Sequence, residues 1–126
     1  MMSLETTYRE YLPSKFLLPY IECYWHYCSK ANIPLEEQPI KRCLPLGTLE
    51  LIIQVDHTPS IIFNNKEQVW QKSNTIYFTG LFKDTCFWKG SPGSLMFGIR
   101  MKPEALIELF KLPVACLFSC VAVSEL

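Results

Sequence analysis

Side chains able to do chemistry are sparse in this chain, and most of them stand on otherwise apolar runs. Glu22, Tyr24 and His26 fall in "IECYWHYC", Glu50 in "LELIIQ", Trp88 in "CFWK" and Arg100 in "MFGIRM". A charged group among strand-forming hydrophobes is either a solvated outer residue or a group placed inside a pocket, because an unpaired buried charge is costly. Small-molecule pockets are mostly apolar with a few placed polar groups. Taken together, Glu22, Tyr24, His26, Glu50, Trp88 and Arg100 fit that description and form the candidate ligand-binding set. Taken singly, each also fits the wet side of a sheet, and Arg100 fits a simple pairing with a glutamate.

Other chemistries are poorly supplied. A metal-dependent barrel enzyme needs clustered histidine and carboxylate ligands. The only histidines here, His26 and His57, stand on different segments. No metal site and no cofactor are expected. "GSPGS" precedes a strand rather than a helix, so it is a turn and not a nucleophile elbow. No phosphate loop or dinucleotide fingerprint occurs. His26 with Cys23 or Cys28 lacks a third, orienting group, and the chain is not expected to be an enzyme. The six cysteines (Cys23, Cys28, Cys43, Cys86, Cys116, Cys120) have C-x4-C and C-x3-C as their closest spacings. They read as reduced, small buried hydrophobes, with a metal or redox role as the alternative.

The elements that must hold these residues are mainly strands. In the first, Ile21, Cys23, Trp25 and Tyr27 share one face, and Tyr20, Glu22, Tyr24, His26 and Cys28 the other. "SKANIPLEEQP" is a polar, proline-containing loop. A turn on Pro45 and Gly47 leads into a strand with Leu49, Leu51, Ile53 and Val55 on one face. Thr48, Glu50, Ile52 and Gln54 lie on the other. "SIIFNNKEQVW", "NTIYFTGLF", "DTCFWKG" and "SLMFGIRM" add short strands bounded by turn residues. In the last of these, Met96, Gly98 and Arg100 oppose Leu95, Phe97, Ile99 and Met101, and Gly98 marks a bend or a close backbone approach. The period then changes. "KPEALIELFKLP" starts a helix at Pro103, with Leu106, Leu109 and Phe110 along one stripe. A second short turn follows at Pro113, and Val121 and Val123 are extended. Ser124 and Glu125 look like the start of a further helix, from which the native protein is expected to continue.

The 126 residues make one domain with a substantial core. Twelve basic residues balance twelve acidic ones, so the chain is not expected to hold nucleic acid by itself. With neither a signal-peptide pattern nor an apolar run of about 20 residues, no membrane segment is expected and the protein reads as cytoplasmic.

Three stretches, "YREYLPSKFLLPYIECYWHY", "CLPLGTLELIIQ" and "FGIRMKPEALIELFKLPVACLFSCVAVSEL", resemble the N-terminal domain of a group of AraC-type transcription regulators. The matching motifs run from Pro19 to Trp25, from Leu44 to Ile52 and from Gly98 to Pro103, in the same order and spacing over nearly the whole chain. Leu46 stands where that group usually carries Asp, and Cys120 stands where relatives tend to be polar. The resemblance implies a small cupin-like β-barrel or jelly roll over residues 1–102, followed by a short helical segment over 103–126. A linker and helix-turn-helix DNA-binding domain would lie beyond this chain. It implies an effector-sensing, dimerising domain: a homodimer that takes a small-molecule effector and reaches DNA only through the missing domain. Leu106, Leu109 and Phe110 are the candidate dimer face, and Glu50 and Arg100, retained by the motifs, are expected to form a buried or half-buried charge pair. The alternatives are an interaction or dimerisation module without a ligand, and a small cupin-type enzyme.

Overall fold

The structure, a computed structural model, describes residues 7–43, 47–55, 60–64, 68–72, 75–79, 86–111 and 120–122. Ten strands and one α-helix run in the order β1 (Thr7–Tyr11), β2 (Ile21–Cys28), β3 (Lys41–Cys43), β4 (Leu49–Gln54), β5 (Ile61–Asn64), β6 (Val69–Lys72), β7 (Ile76–Thr79), β8 (Cys86–Lys89), β9 (Leu95–Met101), α1 (Pro103–Glu108) and β10 (Cys120–Ala122). The protein is mainly β. Its strands form a large sheet, β1-β2-β9-β4-β7-β10, and a small one, β3-β8-β5-β6, with every pairing antiparallel. Among the described residues these are two separate sheets rather than one closed barrel.

The alternating pattern of β2 is realised. Ile21, Cys23, Trp25 and Tyr27 are buried, while Tyr24, His26 and Cys28 are only partly so. The register shifts between Ile21 and Cys23, so Cys23 faces Arg100 while Ile21 faces Met101, with Glu22 as the extra residue. Between the sheets, Cys23, Trp25, Tyr27, Ile52, Tyr77 and Met96 form one core, and Ile62 and Trp88 reach it from the small sheet. Trp88 meets Tyr27 edge-on at 5.1 Å between ring centroids.

A second core lies on the opposite face of the large sheet. There Leu49, Phe78 and Met101 pack against Ala105 and Leu106 of α1. The helix begins as its sequence requires, with Pro103 in the first turn and Glu104 beside it. After α1 the chain is not wholly helical, because β10 returns to pair with β7 at the sheet edge. The second turn expected at Pro113 and the helix start at Ser124 lie outside the described residues. No helix among the described residues is long and apolar enough to cross a membrane.

Gly98 is indispensable to the layer between the sheets. It sits directly opposite Trp25 on β2 and Ile52 on β4. A Cβ at this position would fall inside the Trp25 indole. Replacing it therefore forces the largest core side chain to move. Gly98→Ala is expected to cost about 3 kcal/mol, the upper end for overpacking. Urea unfolding measures it, and the penalty should shrink when the same change is made in a Trp25→Leu background.

Candidate functional site

The inter-sheet face of the large sheet changes from apolar to polar toward one end. β2, β9 and β4 are adjacent, and their register aligns Cys23, Arg100 and Glu50 in one row next to the row of Trp25, Gly98 and Ile52. Side chains two residues apart on a strand share a face, so Trp25, Glu50 and Arg100 converge. Glu50 Oε1 accepts from Trp25 Nε1 and from Arg100 Nε, both at 3.0 Å. The edge strand β1 completes the cluster. Arg100 Nη1 donates to Glu10 Oε1 at 3.2 Å, Arg100 Nη2 to the Tyr8 hydroxyl at 3.2 Å, and Tyr8 in turn to Glu10 Oε1 at 2.7 Å. The Tyr8 ring lies 6.0 Å from that of Trp25.

The cluster grades from inside to outside. Side-chain exposure rises from 13% at Glu50 through 27% at Arg100 to 49% at Glu10. Burial works against the Arg100 charge, but the Glu50 carboxylate and the Tyr8 hydroxyl, with a smaller part from Cys23, together outweigh it and hold the guanidinium protonated. Burial, reinforced by the Glu10 carboxylate, pushes the Tyr8 hydroxyl up to about 12. Donation from Tyr8 holds the Glu10 carboxyl below its ordinary range, against the opposing effect of burial, and Arg100 adds to the lowering. Burial likewise raises the Cys23 thiol, with Arg100 acting the other way. Two carboxylates around one guanidinium leave the cluster itself one negative charge in excess. It can orient a polar or charged group of a ligand. Among the described residues no group of three or more His, Cys, Asp and Glu is arranged to hold a metal ion.

The expected site set is divided by the fold. Glu50 and Arg100 meet as a half-buried pair. Trp88 lines the same inter-sheet layer, against Tyr27 rather than against the charged cluster. Tyr24 and His26 point to the opposite face, where His26 Nδ1 lies 3.1 Å from the Tyr11 hydroxyl and its ring meets Phe97 edge-on. Glu22 is exposed at the bulge. These three residues therefore do not join Glu50 and Arg100. Tyr8, Glu10 and Trp25 take their place, although Trp25 reads from sequence only as part of the buried face. The alternation of "TYREY" was the available signal for β1, since Tyr8 and Glu10 oppose Thr7, Arg9 and Tyr11 along it. The helix stripe is divided too: Leu106 is 1% exposed and packs inward, while Leu109 and Phe110 remain substantially exposed. Leu106 is thus core and unavailable to a partner. Leu46 and His57 lie outside the described residues.

Breaking the pair should fall between two limits, below ~1 kcal/mol for surface ion pairs and about 3–5 for fully buried ones. Arg100→Met is expected to cost about 2 kcal/mol in urea unfolding, because it strands the Glu50 carboxylate with only the indole as donor. An Arg100→Met, Glu50→Gln double variant should recover part of that loss.

The pH dependence has two arms. Tyr8 ionises near ~10 when unfolded and at about 12 when folded. Its contribution is therefore complete below the unfolded value and is lost as the pH rises through the folded one. Glu10, lowered in the fold, contributes above the ordinary carboxylate range and loses that contribution as the pH falls. Melting temperatures across pH should show Tyr8→Phe flattening the alkaline arm and Glu10→Gln the acid one. Unchanged arms would exclude the cluster as their source.

Residues 9–120 match the family described as Domain of unknown function (DUF6597), a span that runs from Arg9 in β1 to Cys120 at the start of β10 and takes in the charged cluster except Tyr8. No curated protein and no solved structure matches the chain. With nearly its whole length inside that match, this chain belongs to the DUF6597 family.

Proposed function

We propose that this DUF6597 domain is the regulatory domain of an AraC-type transcription regulator, sensing a small effector and dimerising, with DNA bound by a separate helix-turn-helix domain. One observation carries this reading. Each of the three sequence stretches that resemble AraC-type regulators contributes to the same cluster: Tyr8, Glu10 and Trp25 from the first, Glu50 from the second and Arg100 from the third. Motifs far apart in sequence meet at hydrogen-bonding distance, as expected of a shared site. The cluster also links the sheet interior to the edge strand β1. An effector that takes over the bonds of Arg100 or Glu10 would change how β1 is held, and an effector shifts an equilibrium only through such differential contacts. The even charge balance supports leaving DNA contact to another domain.

A second reading is an interaction module without a small ligand. It is favoured by the filling of the inter-sheet layer with Trp25, Tyr27, Trp88 and Met96, which leaves the polar end as the route for a ligand.

Native mass spectrometry of the purified chain, followed by denaturation of the same sample, tests the sensing reading. The expected result is a released small molecule, or a metabolite that raises the melting temperature, with either effect lost in Arg100→Met. A chain that carries nothing and is stabilised by no compound in a broad metabolite panel would sink effector sensing and leave the interaction module.

A further inference from the structure

The large sheet has one face turned to the small sheet and one turned outward, and α1 covers only part of the outward face. A six-residue helix is about 9 Å long, whereas six strands span about 24 Å. Beyond the helix, the register runs Arg9, His26, Phe97, Ile53 and Ile76 side by side across β1, β2, β9, β4 and β7. An antiparallel sheet that faces water normally shows polar residues there. Here Phe97, on one of the two central strands, is 44% exposed, and Ile76 and Tyr11 are comparably open. The Tyr11, His26 and Phe97 rings touch in series, and at the border with α1 Phe110 stands edge-on to Phe78.

We propose that a second copy of this chain docks on this open half of the outer face. The inference rests on the dimerising part of the reading above and is independent of any effector. Three features favour a second copy. First, among the described residues the strand rows across the open half carry one charged side chain, Arg9, so the surface demands neither a cationic nor an anionic partner. Second, the chain as a whole has no net charge to drive copies apart. Third, Phe97 and Ile53 are directly opposite each other on the two central strands. A two-fold axis over that pair sets each copy's apolar centre on the other's, as an isologous interface requires. The area is also sufficient. A large side chain has ~150–250 Å² to bury, and Phe97, Ile76, Tyr11 and Phe110, each about two-fifths exposed, together offer about 340 Å². At the roughly 60% apolar share of interfaces, that corresponds to about 570 Å² per partner and about 1,100 Å² in all, above the roughly 1,000 Å² that a specific interface needs.

Sedimentation velocity over a wide dilution series tests the proposal on the chain itself. The wild type should sediment as a species of twice 14.6 kDa. Phe97→Glu should weaken association about a hundredfold, as expected of a hot-spot residue. Ile76→Lys, at the border, repeats the test should Phe97→Glu fail to fold, and circular dichroism melts establish which variants are folded. A monomeric wild type overturns both the docking and the dimerising reading. A dimer unmoved by either folded variant overturns this face alone. A monomer that floats with phosphatidylcholine vesicles overturns the second copy in favour of a lipid surface.

Discussion

The packing of the Trp25 indole over Gly98 is the constraint on which the rest of the layer depends. The indole needs the room that only a residue without Cβ leaves on the neighbouring strand. Once seated there, its Nε1 reaches Glu50 on the strand beyond. One residue thereby fills the space between two sheets and satisfies part of a half-buried carboxylate. Glu50 can then hold Arg100, and Arg100 can hold β1. Apolar packing and polar bonding are two ends of the same side chain.

The polar end is arranged so that the most buried carboxylate is not left without donors. Glu50 and Glu10 each accept two hydrogen bonds on one oxygen, but Glu50 does so half-buried and Glu10 at the exposed rim. This is what desolvation costs demand. The opposite end of the interior uses neutral groups. Gln54 Nε2 donates to Ser60 Oγ at 2.7 Å, and Ser29 and Ser94 face each other at 3.4 Å. Gln38 anchors the proline-containing loop by donating to the carbonyls of Lys30 and Ile33. The carboxylates of the cluster stand where water can reach them in part.

Much of this was legible in the residues. Alternation along β2, β4 and β9 separated the two faces correctly, and the Pro103 start of α1 appeared where the period changed. Glu50 and Arg100 could be expected to pair because the AraC-type motifs retain both and both stood on polar positions of apolar strands. Three things were hidden. The strand β1 is short and polar, and its role depends on partners ninety residues away in sequence. Periodicity also cannot say which of two faces turns inward. On β4 the face with Glu50, Ile52 and Gln54 meets the small sheet, while Leu49 and Leu51 meet the helix. Finally, Tyr24 and His26 looked like companions of Glu50 because strand faces had not yet been assigned to sheets. Register, which long-range pairing sets, separates them.

The strand order of the large sheet also bears on how quickly it can assemble. Of its neighbouring pairs, only β1 and β2 are consecutive in sequence; β2 with β9, β9 with β4, β4 with β7 and β7 with β10 all join distant segments. Closing such loops costs entropy before their contacts return it, which places folds of this kind among the slow folders, in milliseconds to seconds. The β5–β6 hairpin can form locally, but the indole cannot be seated until β9 has come back beside β2. During synthesis that moment waits for Gly98. Until it emerges, the aromatic face of β2 has no lasting cover, and the nascent chain has its longest exposure to chaperones and to aggregation.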